Sequence, residues 1–328
     1  MIIMDTTKNI SSISICGEIT LNLHSLNNEG GEGNQIMTRQ LTIVDKNGKE
    51  QTVTGISGDM FKHIHAAHML NYCVENNISL SEYSKTLNPN RIAAAELTGE
   101  AGKESNSQAD VINAIINKCA ICDAHGVLIT DKVGKNESST NTPRKSLIEF
   151  AWTVGIPEKN NTETYVHTKL VVDAGSKGSA TASNEGQNIF HRPANHGVYA
   201  FVCNIDTYRI GLNDINRKYS IDDNERTKRH KAVVQSLLST ILNPKGAMTS
   251  TQKPHITDFK GVVTVSNKLI PAPTISAINN NYVSEIKKIA ENLNKIETGS
   301  IQIEEFEGLG KLTEIFSELL KAKPYKIG

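Results

Sequence analysis

The run Gly55-Ile56-Ser57-Gly58-Asp59-Met60-Phe61-Lys62-His63-Ile64-His65-Ala66-Ala67-His68 constrains the fold more than any other. Val53 closes an alternation of apolar and polar residues, and Gly55 and Gly58 permit a strand to turn sharply into a helix. Ser57 has N-cap chemistry, since its hydroxyl can accept from amides that the first helical turn leaves without partners. The spacing predicts a helix from Gly58 to about Asn76. Its apolar stripe is Met60, Ile64, Ala67, Leu70 and Val74, which puts Asp59, Lys62, His65 and Met69 on or near the other side. Lys62 and His65 then point away from the core. An electropositive helix start carrying Lys62 and His63 is a seat for phosphate, although the same pattern fits an ordinary amphipathic helix with solvated cations.

Composition sets bounds without choosing between these readings. At 328 residues and 38% hydrophobic content the chain can form one large or two medium domains with a real core. Lys plus Arg and Asp plus Glu both number 35, so net charge lends no support to nucleic-acid binding. The distribution is less even. Between Tyr208 and Lys260 the cations Arg209, Arg217, Lys218, Arg226, Lys228, Arg229, Lys231, Lys245, Lys253 and Lys260 outnumber the anions, which predicts a basic seam beside a more acidic C-terminal part. The N-terminus has no signal-like pattern and no apolar stretch approaches the ~20 residues of a membrane span, so a cytoplasmic protein is expected. Five cysteines, an odd number, argue against a disulfide framework and for reduced thiols.

Ile13 to Leu23 alternate as a half-buried strand. A Gly-rich connection follows, then an extended segment over Ile36 to Val44 and hairpin-turn chemistry at Lys46-Asn47-Gly48-Lys49. Leu80 to Ser107 is polar and poorly periodic, an insertion that need not belong to the core, and a helix is predicted over Gln108 to Lys118. Strands are predicted at Gly126 to Thr130, Lys145 to Gly155, Thr164 to Val172, Val198 to Ile210 and Gly261 to Ser266, the last taken as the final core strand. Asp173 to His196 is too Gly/Ser-rich for a core and should project as a long hairpin or lobe. A helix capped by Asp223 runs to about Leu242, and amphipathic helices are predicted over Ala277 to Ile296 and Gly310 to Lys321. Without its insertions the order is strand, helix, strand, strand, helix, strand. That is the ferredoxin-like or RRM-like plan of an α+β protein.

Cys119-x2-Cys122-x2-His125 comes nearest to a metal motif, but it lacks a second ligand pair, and two buried thiols at a helix end are the favoured reading. No metal or cofactor is expected. Asp173, Asp206 and Asp214 lie near strand ends and could in principle form a nuclease pair, though Asp beside turns usually caps. No nucleophile, base and oxyanion site can be placed together, so no catalytic residue is assigned. Phe190-His191-Arg192 joins an aromatic wedge to cations, a combination that stacks on bases and holds phosphates, or else simply pins the loop to its own domain.

Three segments in order, Gly55 to His68, Asp173 to Gly211, and Pro244-Lys245-Gly246-Ala247-Met248-Thr249-Ser250, resemble the backbone subunit of Cascade-type (type I) CRISPR surveillance complexes, in its DevR-like branch. Met248 stands where that family usually has Lys. The resemblance implies a modified RRM-like core, with an RRM-like palm over 1–275, a finger or helical lobe at about 78–125, a thumb at 173–196, and a C-terminal helical segment over 276–328. It implies a non-catalytic RNA-binding subunit that oligomerises along the spacer of a guide RNA (crRNA) and presents it for pairing with target DNA. Its partners would be the crRNA, target DNA through the guide, copies of itself and other effector subunits, in a prokaryotic cytoplasm and without a membrane. RNA-binding residues carried over are Arg39, Ser57, Gly58, Lys62, His63, Gln187, Phe190, His191, Arg192, Lys245, Gly246, Ala247, Thr249 and Ser250. The alternatives are a metal-dependent subunit that cuts target RNA through Asp173 or Glu185, and a free-standing RRM-like RNA-binding module.

Overall fold

The computed structural model describes residues 8–27, 29–97, 107–130, 133, 141–170 and 187–328. Its centre is a large, mainly antiparallel sheet. The strands are β1 (Ser12–His24), β2 (Gln40–Val44), β3 (Glu50–Ile56), β4 (Ile148–Phe150), β5 (Thr153–Leu170), β6 (Gln187–Ile205), β7 (His255–Ser266) and β8 (Ile301–Glu307). They lie in the order β8-β7-β1-β6-β5-β3-β2, with β4 also paired to β6. The helices of more than one turn are α1 (Gly58–Glu75), α2 (Gln108–Lys118), α3 (Ala120–His125), α4 (Asp223–Leu242), α5 (Tyr282–Ile296) and α6 (Gly308–Leu319), and short helical turns lie at Glu82–Lys85 and Ala94–Leu97. The α+β class is as the sequence predicts.

β1 sits at the middle because its residues pair on both sides: Ile15 stands opposite Cys203 of β6 and Val263 of β7. One face, with Ile13, Ile15, Ile19 and Leu21, packs under α1, α4 and α6 through Phe61, Met69, Val233, Leu237 and Phe316. The other face is covered too, where Cys16, Val262 and Ala200 meet Tyr282 and Ile286 of α5. β1 is therefore buried on both sides, not half-buried as its alternation suggests, and Ser14 is satisfied by donating to the Ala272 carbonyl. Short polar side chains mimic a wet face when their partners come from distant chain.

Other elements differ from expectation. β8 lies beyond β7, so Gly261 to Ser266 does not end the sheet, and Ile301, Ile303 and Phe306 fit the edge position. Val127–Ile129 pairs only with Thr142–Arg144 in a separate ribbon, leaving Leu128 exposed. Strand Lys145 to Gly155 is divided into β4 and the start of β5. The cap of α4 is Asp222, whose carboxylate accepts from the Glu225 amide, rather than Asp223. α5 begins at Tyr282, five residues after Ala277.

Of the hairpin or lobe expected over Asp173 to His196, residues 173–186 lie outside the described residues, and the described part differs from expectation. β5 continues without a break to Leu170, and its partner starts at Gln187, so Gln187 to His196 is strand rather than loop. The predicted second strand start at Val198 is the point where this ribbon joins the sheet. Cross-strand hydrogen bonds let a polar ribbon hold its shape with little apolar burial.

Candidate nucleic-acid interface

Ser57 caps α1 as the sequence suggests: its Oγ accepts from the Asp59 amide at 3.1 Å. It is buried, and its own N–H donates to Asn27 Oδ1 at 2.9 Å while Asn27 Nδ2 donates to the Gly55 carbonyl at 2.7 Å. Gly58 is needed because a side chain there would run into the Phe150 carbonyl. Both residues shape the helix start, and the charged or titratable groups its first turns present outward are Asp59 and His63, exposed, and Lys62, half-buried. Lys62 lies on the wall shared by two clefts, one of about 290 Å³ with His63, Asn88 and Arg91, the other of about 420 Å³ with Lys145, Glu149 and Trp152. Burial, then the charge of Arg91, lowers its pKa.

His65 is the main correction on this helix. The buried side of α1 runs through Phe61, Ile64, His65, Met69 and Cys73, whereas Val74 is 61% exposed. α1 meets the sheet and α4 at once, so its buried arc is wider and rotated relative to the apolar stripe. His65 is accommodated by pairing Nδ1 with His125 Nε2 and Nε2 with the Val233 carbonyl, each at 3.0 Å. Burial holds its pKa down at about 4. The ring that looked solvated is a core group joining α1, α3 and α4.

The loop Lys245 to Ser250 sits against the chain just before Asn27. The amides of Ala247 and Met248 donate to the carbonyls of Leu26 and Ser25, and Thr249 donates both N–H and hydroxyl to Gly246 O. Of the loop residues carried over as RNA-binding, Ala247 and Thr249 thus have these groups bonded within the protein, and Gly246 has no room for a side chain against Leu26. Lys245 and Ser250 remain as the exposed polar side chains of the loop. Sequence thus located the loop, but backbone partners are invisible until the fold supplies them. Ser25 to Asn27, which no motif marked, touches both the loop and the α1 start.

Arg39 stands next to β2, where its carbonyl accepts from the Gly55 amide. It is ion-paired with Glu29 at 3.3 Å and lies 5.5 Å from the ring centroid of Trp152, the sole tryptophan. On the hairpin, Phe190 stacks on His167 across the ribbon, at 5.7 Å with planes 12° apart, and the Arg192 guanidinium lies 4.7 Å from the Phe190 ring centroid. The His191 amide donates to the Asn34 carbonyl. Gln187 opens β6, but its side chain, like Asp173 and Glu185, lies outside the described residues.

The remaining candidates have partners within the protein. Cys119 caps α3 by accepting from the Cys122 amide, and both thiols contact Ser84 Oγ. His125 is turned instead toward His65. Asp214 pairs with Arg144 at 2.6 Å and Arg209 at 3.1 Å, while Asp206 lies 3.7 Å from Arg209. Of the ten cations of the predicted basic seam, Arg209, Arg226 and Arg229 turn inward, with Arg229 bound to Asp123 and Glu225, whereas Arg217, Lys218, Lys228, Lys231, Lys245, Lys253 and Lys260 are exposed. A linear charge count cannot tell a snorkelling cation from one with a buried carboxylate.

Among the described residues no helix is long and apolar enough to cross a membrane. A family model described as CRISPR-associated negative auto-regulator DevR/Csa2 matches residues 15–287. The chain is 25% identical over 329 residues to the CRISPR-associated protein Cas7/Cst2/DevR of Methanocaldococcus jannaschii, covering 94% of this chain and 99% of that one. A solved CRISPR RNA-guided surveillance complex contains a similar chain at 13% identity and a TM-score of 0.43, covering 89% of this chain and 87% of that one. Thermofilum pendens Csc2 is similar at 15% identity and a TM-score of 0.38, over 97% of this chain and 88% of that one.

Proposed function

The chain belongs to the CRISPR-associated DevR/Csa2 family, and from that premise we propose that it is a non-catalytic RNA-binding backbone subunit. It polymerises along the spacer of a guide RNA and presents the bases for pairing with target DNA, beside other effector subunits in a prokaryotic cytoplasm. Sequence discrimination lies in base pairing, so the protein holds phosphate and ribose. The observation that carries this reading is the joining of two phosphate-seat candidates by one link: Ser25 to Asn27 bonds the Lys245 to Ser250 loop at one end and Ser57 at the other. Lys62, His63, Lys245 and Ser250 are the contacting groups, with Arg39 approaching from β2. Ser57, Gly58, Gly246, Ala247 and Thr249 hold the backbone in place.

The strand order β7-β1-β6-β5, with α1 and α4 over one face, fits an RRM-like palm over 1–275. The finger at about 78–125, the thumb around 173–196 and the C-terminal segment 276–328 complete that plan. Gln187, Phe190, His191 and Arg192 act from the thumb, Phe190 by exchanging or extending its stack on His167. Against a nuclease pair, Asp214 is engaged by Arg144 and Arg209 and Asp206 lies 3.7 Å from Arg209, while Asp173 and Glu185 of the cutting alternative lie outside the described residues. Electron microscopy and sedimentation with single-stranded RNAs of increasing length test the proposal. Mass should rise stepwise with RNA length as a curved array forms; one protein per RNA at every length would leave the free-standing module instead.

A further inference from the structure

Lys62 and Arg91 share the wall of the cleft between α1 and residues 84–91. Both are half-buried, and among the described residues neither has a carboxylate within 4.0 Å, although Asp59 also lines the cleft. Arg91 is held firmly in this place. Its φ is +58°, its Nη1 donates to the Gly126 carbonyl at 2.6 Å, and its own carbonyl accepts from the hydroxyls of Ser81 and Ser84. A left-handed backbone in a residue with a long side chain costs energy and persists only where neighbours enforce it.

Two half-dehydrated cations facing one cleft with no carboxylate in ion-pair contact repel each other, and an anion between them relieves both their repulsion and their lost hydration. Lysine offers a compact ammonium and arginine a planar fork, a pairing suited to phosphate. We propose that this cleft is a phosphate site, held between Lys62 Nζ and the Arg91 guanidinium with His63 and the Asn88 amide at its rim, and that its occupant is a phosphodiester of bound RNA. The inference rests on the RNA-binding reading and deepens it, because it makes the segment 81–91, which reads as a dispensable insertion, part of the path of the chain's RNA.

The test titrates the full chain and its variants with a single-stranded oligouridylate and, separately, with inorganic phosphate over a range of salt. Arg91→Gln should weaken oligouridylate binding roughly tenfold and lower the salt slope by about 0.7. Asn88→Asp keeps the acceptor that receives the Asn90 amide while adding a negative charge at the rim, so it should weaken binding as well. Thermal melts confirm folding, and Asn88→Asp carries the test if Arg91→Gln does not fold. Wild-type affinity and slope in both variants would overturn the site while leaving the backbone reading intact. Binding of inorganic phosphate through Arg91, with no oligouridylate binding by wild type, would uphold a phosphate site, reject its RNA occupant and end the backbone reading.

Discussion

Arg144 and Arg229 lie deeper in this protein than Lys62 and Arg91, yet the deeper pair is the one whose charge is balanced. Asp123, itself buried, accepts from Arg144 Nη2 at 2.7 Å, from Arg229 Nη1 at 3.1 Å and from the Gly211 amide. Arg144 also donates to the carbonyls of Leu212 and Arg209. This network ties α3, α4 and the turn after β6 into one body. At the cleft the cations are shallower, and Arg91 Nη1 meets the Gly126 carbonyl instead of a carboxylate. Full burial forces a chain to supply counter-charge, whereas half-burial permits an unpaired cation that a ligand can neutralise.

The largest way to break this contrast is Asp123→Ala, which takes from two buried guanidinium groups the buried carboxylate they share and leaves them only the more exposed Asp214 and Glu225. Chemical denaturation should show a loss of about 3 to 5 kcal/mol, or no folded protein at all. A loss below about 1 kcal/mol would mean that the network is wet and no different in kind from the cleft.

Next comes acid. His65 titrates near 4 in the folded chain against an ordinary value of about 6.5, so the unfolded chain binds the proton first. Stability is whole above about pH 6.5 and falls as pH drops toward 4, by roughly 2 kcal/mol at pH 5 from His65 alone. His24 and His230, held by burial at about 3 and about 4, push the same way. Urea midpoints measured down this range should fall steadily; a flat profile would show that the histidine core admits water.

Lys62→Gln sharpens the other side of the comparison. It removes a charge with no carboxylate partner, so the melting point should hold or rise slightly while affinity for unrelated single-stranded RNAs falls alike, with a salt slope lower by ~0.7. Loss confined to particular base sequences would contradict phosphate seating. The smallest effect belongs to Lys326→Gln, which removes an ion pair with Asp223 at 3.0 Å on the open surface. Stability should change by less than about 1 kcal/mol and RNA affinity not at all.

Much of the architecture was legible in the sequence. α1 through its Ser57 cap, α4 through its apolar spacing, the central strand and the strand that runs on through Thr164 all follow from local rules that short segments obey alone. Lys62 and His63 were found because a strand-to-helix turn with nearby cations is a local pattern. Arg91 and Asn27 were not, since neither stands in a motif and each matters only through a neighbour far along the chain. β8 could have been found from its Ile301 and Ile303 alternation, but the preceding helix and charges at Glu304 and Glu305 obscured it.

By itself the sequence determined periodicities, caps and turns, because these depend on residues within a few positions of one another. Only the tertiary structure decided which polar groups are spent internally. His65 lies in the core because His125 and Val233 arrive to bond it, and the Ala247 and Met248 amides face inward because Leu26 and Ser25 accept them. Three arginines of the apparent basic seam turn inward, Arg229 toward Asp123 from a distant helix. A hydrogen bond or ion pair between remote segments leaves no local trace, since its free energy arises only when folding removes both partners from water.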